Sequence, residues 1–317
     1  AILKKWPKVE KWARFLIEKK NFKVKTKAQL QEVIAIALHH QSEDLQKAGK
    51  FADAADKMVA LAREFPKHEL APKAMFNAAA IHEKGKRTDR ALELYDEVLR
   101  LYPKNEVAPN ALFVIGAIYE ARTEYAKAAD RFEQMQTYKD HDQAADAIYN
   151  AAMIREALGR YDGALRAFEK YMELYGSKRQ DAHEVYFHMA EVKEKNGNTD
   201  LAKQHYKEYI RKYSKETLNV MRANLVLAKL AGGNPRESRG YLNKVLSGWR
   251  RLKEADRKTV ANAAAAESQF LIGEQVWHSF KTIVLPSPDK VRPFQKSLIE
   301  LGKMLNTASR EYFKVFE

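Results

Sequence analysis

Phe65-Pro66-Lys67-His68-Glu69-Leu70-Ala71-Pro72-Lys73-Ala74-Met75-Phe76 returns 37 residues later as Tyr102-Pro103-Lys104-Asn105-Glu106-Val107-Ala108-Pro109-Asn110-Ala111-Leu112-Phe113. Self-similarity at a fixed period of this size marks a repeat array, in which no unit can bury its apolar face without a neighbour. A second signal runs through the chain in the same register. Ala54, Ala91, Ala128, Ala164, Ala202 and Ser238 are spaced 37, 37, 36, 38 and 36 apart. Four residues after each stands a bulky one: Met58, Tyr95, Phe132, Phe168, Tyr206 and Leu242. A small residue with a large one at i+4 places both on one helix face, and the small one lets a second helix approach closely. Turns precede the small residues. Gly49-Lys50, Gly85-Lys86, Gly159-Arg160, Gly197-Asn198 and Gly232-Gly233 mark five of them, and Thr123-Glu124 stands in the third without a glycine. Glycine there predicts the left-handed conformation that ends a helix.

Each unit is therefore a helix A, a tight turn, a helix B and a short link. Pro66 and Pro103 stop helix B, and Pro72 and Pro109 open the next helix A, where a missing N–H costs little. Asp140, Gly176 and Ser214 take the matching link positions later.

The pattern resembles tetratricopeptide repeats, with small residues at position 8 (Ser42, Ala79, Gly116, Ala152, Ala190), small at 20 and bulky at 24. The usual period is about 34; here it is 36 to 38. The longer period and the Tyr-Pro-Lys phrase resemble a bacterial cell-envelope branch that includes barrel-assembly lipoproteins, the periplasmic partner of the Tol–Pal system and gliding-motility proteins. The resemblance covers about residues 35–250 and weakens in the sixth unit at Pro235 and Ser238. It implies an all-α fold, a right-handed α-solenoid of about six repeats with helical extensions at both ends. The expected organisation is 1–34 as N-terminal basic capping helices, 35–250 as the array, and 251–317 as C-terminal helices that continue the solenoid or end it. Units are expected near 35–71, 72–108, 109–144, 145–182, 183–218 and 219–250.

At the N-terminal end Trp6, Trp12, Phe15 and Leu16 are read as one apolar stripe on a basic amphipathic helix, covering the first repeat or lying on a membrane surface. Residues 253–285 read as one long helix, which Pro286-Ser287-Pro288 breaks. A last helix is expected from Val291 to Phe316, with Phe294, Leu298, Leu301, Leu305 and Tyr312 at helical spacings. It still looks apolar where the sequence stops, as expected of a fragment of a longer solenoid or of a face that awaits a partner. Because the chain begins at Ala1, it is expected to be a processed or trimmed product, with any signal peptide or lipid-attachment cysteine outside it.

Composition narrows the function. The 317 residues contain no cysteine, which excludes disulfides, thiolate metal sites and a cysteine nucleophile. The net charge of +14 is uneven: residues 1–27 hold ten Lys and Arg against two Glu, while 28–200 hold 24 against 29. The flanks attract anionic surfaces and the middle does not. His183 and His188 resemble a zinc-protease helix, but they are five apart and so diverge around the helix instead of sharing a face. No phosphate-binding glycine loop or nucleophile elbow occurs, so no enzyme and no cofactor is expected.

By the resemblance, positions 5, 6, 9 and 12 of helix A line a concave groove. Position 5 gives Phe76, Phe113, Tyr149 and Phe187; position 6 adds Asn77 and Asn150. Position 12 gives Glu83, Glu120, Glu156 and Glu194, and position 9 gives Ala80, Ala117, Met153 and Glu191. The expected site is an aromatic row beside a carboxylate row that holds a segment of a partner protein. The aromatics bury its apolar side chains, the asparagines pair with its backbone, and the glutamates select basic residues. The plainer alternative is that the aromatics only pack between helices and the glutamates are solvated. The Lys and Asn set that some relatives use to clamp chaperone tails is missing from these positions.

The function expected is a noncatalytic interaction scaffold of a bacterial envelope complex, in the periplasm or at the outer membrane, with the cytoplasm as the alternative compartment. The second function weighed is electrostatic attachment to anionic lipid, peptidoglycan or nucleic acid through the basic flanks. Nucleic acid is the least expected of these partners, because the predicted groove is acidic. No segment approaches the roughly 20 apolar residues that span a bilayer.

Overall fold

A computed structural model describes residues 5–19 and 24–315, without the side chains of residues 24 and 25. Among the described residues there are fifteen α-helices and no strand. They are α1 (Lys5–Glu18), α2 (Val24–Lys47), α3 (Phe51–Glu64), α4 (Ala71–Lys84), α5 (Thr88–Leu101), α6 (Val107–Ala121), α7 (Tyr125–Gln134), α8 (Ala144–Ala157) and α9 (Tyr161–Tyr175), then α10 (Ala182–Lys195), α11 (Thr199–Lys212), α12 (Thr217–Leu230), α13 (Pro235–Arg251), α14 (Thr259–Lys281) and α15 (Val291–Phe313). The fold is an all-α solenoid of helical hairpins. It divides into two compact units, Ala1–Leu174 and Tyr175–Glu317.

In the first unit α1 lies on α2, and successive helices pack in chain order from α2 to α8. The A helices α4 and α6 also touch. The small residues sit where the register placed them. Ala54, Ala91, Ala128 and Ala164 are fully buried, and the bulky residues four positions on, Met58, Tyr95, Phe132 and Phe168, are at most 3% exposed. In the third repeat the close approach is tight enough to demand glycine. A Cβ on Gly116 would lie 2.6 Å from the Phe132 ring. Pro72 and Pro109 sit buried in the first turns of α4 and α6, and α3 and α5 end just before Pro66 and Pro103.

The turns depart from expectation at one place. Gly49, Gly159, Gly197 and Gly232 have φ of 74°, 69°, 78° and 63°. In the second repeat, however, Gly85 has φ −78° and Lys86 takes the left-handed place at φ 57°. Thr123 does the same in the third, at φ 60°. The turn residue lies five before the small residue in all of the first five repeats, so register chooses the position and glycine only occupies it cheaply. Gly85 is one residue out of register.

The second unit contains the hairpins α10–α11 and α12–α13, and α14 packs on α13 and α12 and pairs with α15. The same knob recurs at that last pair: a Cβ on Gly273 would meet the Tyr312 ring at 2.8 Å. The long helix begins later than the pattern implied. The backbone is extended at Leu252 and Lys258 around a short 3-10 turn at Glu254–Asp256, which separates α13 from α14. On α15 the expected stripe is only partly used. Ala308 is buried and Tyr312 covers Gly273, while Leu298 and Leu305 stay exposed. Phe316 lies outside the described residues.

The N-terminal stripe also divides. Trp6 stacks on His40 of α2 with ring centroids 4.3 Å apart, and Leu16 is half-buried, but Trp12 and Phe15 are exposed. At about 100° per residue the six-residue step from Trp6 to Trp12 turns most of the way to the opposite face. No described helix is long and apolar enough to cross a membrane.

Candidate partner-binding surface

The position-5 aromatics do their first work inside the hairpin. Each meets the bulky residue of helix B in its own repeat, 19 residues on. Phe76 lies 5.3 Å from Tyr95, Phe113 5.6 Å from Phe132, and Tyr149 5.8 Å from Phe168, centroid to centroid. Phe187 in the second unit lies 5.4 Å from Tyr206 and 5.2 Å from Tyr209. Tilted and edge-to-face contacts of this kind add about 0.5–1.5 kcal/mol each beyond the burial itself. The aromatic row thus pins helix A to helix B, which differs from packing between neighbouring A helices.

What remains of each ring for a partner differs along the chain. Phe76, Phe113 and Tyr149 are half-buried and keep part of the ring in water. Beside them Asn77 and Asn150 are exposed, with no side-chain hydrogen bond among the described residues. Phe187 is only 3% exposed, because Arg222 of α12 lies over its ring at 4.4 Å. That guanidinium also bonds Glu191 at 3.0 Å, and Glu191 in turn meets His188 Nδ1 at 2.8 Å. The position-9 carboxylate is therefore already paired.

The glutamates divide by what helix B offers them. The buried Tyr95 hydroxyl donates to Glu83 at 3.0 Å, and Tyr206 donates to Glu194 at 3.4 Å. Burial, with the adjoining carboxylate, raises the pKa of both phenols well above its ordinary value. Where helix B supplies Phe132 or Phe168 there is no hydroxyl to give. Glu120 is exposed and has no side-chain partner among the described residues, and Glu156 is half-buried. The Glu–Tyr pairs are twelve apart, the span of the turn between A and B, so this coupling could have been read from the sequence. The Arg222 cover could not, since it depends on how α12 lies against α10.

One polar cluster in the second unit escaped the sequence reading. His205 of α11 is 5% exposed. Its Nε2–H donates to the Tyr186 carbonyl at 2.8 Å, and its Nδ1 accepts from Lys193 Nζ at 2.9 Å. Burial first, and then the Lys193 charge, lower its pKa to about 4. The two neighbours leave no room for a second proton: one nitrogen is spent on a carbonyl and the other faces a cation. Around it Tyr186, Tyr209 and Tyr213 form a ring cluster, with Lys212 Nζ 4.7 Å over Tyr186. His183 and His188 go to different partners: His183 lies 3.9 Å from Glu216, and His188 pairs with Glu191.

Comparison with known proteins matches the repeat. Tetratricopeptide-repeat family models match residues 41–106, 146–177 and 184–215. No curated protein sequence matches the chain. Among solved structures, a tetratricopeptide repeat protein from Parabacteroides merdae is 17% identical with a TM-score of 0.36, over 83% of this chain and 98% of that one. The C-terminal part of a repeat protein from Cytophaga hutchinsonii is 15% identical with a TM-score of 0.40, over 78% and 97%. YrrB, described as a repeat protein with an unusual peptide-binding site, is 18% identical with a TM-score of 0.38, over 66% and 98%. Likenesses of this degree say nothing of a partner. Arrays of this repeat are in general noncatalytic scaffolds for protein–protein interaction.

Proposed function

We propose that this tetratricopeptide-repeat chain is a noncatalytic scaffold of a bacterial envelope complex, and that the A helices of its first unit hold a segment of a partner protein. One observation carries the reading. Phe76, Phe113 and Tyr149 recur at one position of three successive A helices, each anchored on helix B yet each keeping a solvent-facing part. Rings held from behind lose little freedom on binding, so they can cover apolar side chains of a partner at small entropic cost. The exposed Asn77 and Asn150 beside them can pair with its backbone, and Glu120 offers a carboxylate to a basic residue. The envelope compartment rests on the Tyr-Pro-Lys phrase of the repeat.

Photo-crosslinking tests this directly. A photoreactive amino acid at Asn77 or Asn150 is expected to trap one protein in cells, and that protein should cofractionate with the envelope. The same group at Glu93, on the exposed side of α5, should trap none of it. Equal trapping from all three positions, or an adduct confined to cytosolic fractions, overturns the proposal.

A further inference from the structure

Among the described residues the outer face of α1 has no packing partner outside its own helix and Lys19. The helix is held by its inner face. Glu10 accepts from Gln41 Nε2 at 2.7 Å and from Arg14 Nε at 2.9 Å, Arg14 reaches Glu64 at 2.7 Å, Ala13 is 3% exposed, and Trp6 stacks on His40. On the opposite side Trp12 is 64% exposed and Phe15 45%. Their rings meet edge to face at 5.8 Å, and Lys19 Nζ stands 4.6 Å over Phe15.

At about 100° per residue, Lys11, Phe15, Lys8, Lys19, Trp12 and Lys5 fall in that order across about 120° of the helix circumference. All four lysines are exposed. No carboxylate falls among them: Glu10 points inward, and Glu18 lies just beyond Lys11 at the edge. Two large rings, with ammonium groups on either side and no acid, form a face that water does not favour and that an anionic interface does. Tryptophan prefers the headgroup level of a bilayer, where its ring is half in hydrocarbon and its N–H is wet. Lysine stems can lie along the acyl boundary while their heads reach lipid phosphates.

We propose that this face of α1 docks on an anionic phospholipid bilayer, with Trp12 and Phe15 entering the interface and Lys5, Lys8, Lys11 and Lys19 pairing with phosphates. The inference is independent of the A-helix reading, because it uses the opposite side of a helix that contributes nothing to those rows. The charge complement and the exposed indole favour a lipid surface over nucleic acid. The two rings stand at 88° to each other, so they offer no parallel faces between which a base could stack.

The test is cosedimentation of the full chain with vesicles of phosphatidylcholine and phosphatidylglycerol in equal parts, and with phosphatidylcholine alone. Binding is expected only to the mixed vesicles, with a blue shift of tryptophan emission that Trp12→Ala removes. The Trp12→Ala/Phe15→Ala double variant should lose at least tenfold in partition while its unfolding midpoint stays unchanged, because neither ring packs in the core. Changing the four lysines to Gln should lose roughly six-hundredfold, at about fivefold per charge. Partition that is unaffected by the double variant overturns the proposal. So does equal binding to neutral vesicles, or lysine-dependent binding to an oligonucleotide without binding to the mixed vesicles.

Discussion

The position-5 aromatics of the two units share a register and have opposite fates. In the first unit Phe76, Phe113 and Tyr149 lean on helix B, Tyr149 on both Phe168 and Tyr171, and keep part of the ring in water. In the second, Phe187 sits between two tyrosines under the Arg222 guanidinium, and little of it is exposed. The same repeat position keeps an open face in one unit and is core in the other. The deciding residue belongs to the next A helix, so a rule about repeat positions cannot locate a binding row without the neighbour's side chain.

The largest expected effect separates the two directly. Phe187→Ala removes a buried ring and should cost the α10–α11 hairpin about 3–5 kcal/mol. Phe76→Ala should cost the α4–α5 hairpin about 1–2 kcal/mol, since part of that ring is already solvated. Hydrogen exchange at the two hairpins reads each cost locally, and equal losses would erase the distinction.

Acid should sharpen the contrast next. His205 is neutral when folded, with its pKa lowered to about 4. Above its ordinary value of 6.5 both states are neutral and it contributes no pH dependence. As the pH falls through 6.5 the unfolded chain takes a proton that the folded one refuses. Stability is lost down to about pH 4, by about 2 kcal/mol between pH 6.5 and 5. The groups facing the imidazole are Lys193 of α10 and Glu208 and Lys212 of α11, and the carboxylate alone among them opposes the shift. Denaturant unfolding of the second unit at pH 7 and pH 5 should show this loss, and His205→Gln should flatten it. His82 in the first unit is lowered too, by burial and by Arg87 and Arg90, so that unit should weaken in the same direction.

Arg222→Ala should uncover Phe187. The loss of a half-exposed ion pair and a cation–ring contact is worth about 1–2 kcal/mol. If the cover is what distinguishes the units, this variant should also bind the partner trapped at Asn77 through its second unit. The smallest effect lies in the turns. Thr123→Gly should raise stability by about 0.5–1 kcal/mol, as relief of a left-handed β-branched residue exceeds the entropy that glycine adds to the unfolded chain. Gly159→Ala at the matching turn should lower it by about 1 kcal/mol. A thermal melt of each variant checks the pair, and a loss in Thr123→Gly would mean that the threonine does more than turn the chain.

Much of this molecule was legible because its repeats solve one local problem several times. The spacing of Ala54, Ala91, Ala128, Ala164 and Ala202 placed the helix B knobs, and all five are fully buried. The same register, applied strictly, also points to Lys86 over Gly85 as the left-handed residue, and composition misled where position did not. The helix-A aromatics were locatable for the same reason. Their exposure was not, because exposure at Phe187 depends on Arg222, 35 residues away in a different hairpin.

Periodicity determined the all-helical hairpins and the small-to-large packing of A on B. Both follow from contacts within a repeat or to its immediate neighbour, which a 36- to 38-residue pattern encodes directly. Only the tertiary structure decided which row keeps an open face, that His205 stays neutral between a carbonyl and a lysine, and that Trp12 and Phe15 turn away from the array. Each of these depends on the rotation of one helix against another. A shift of one residue in that contact moves a side chain by about 100°, and no pattern along a single helix records it.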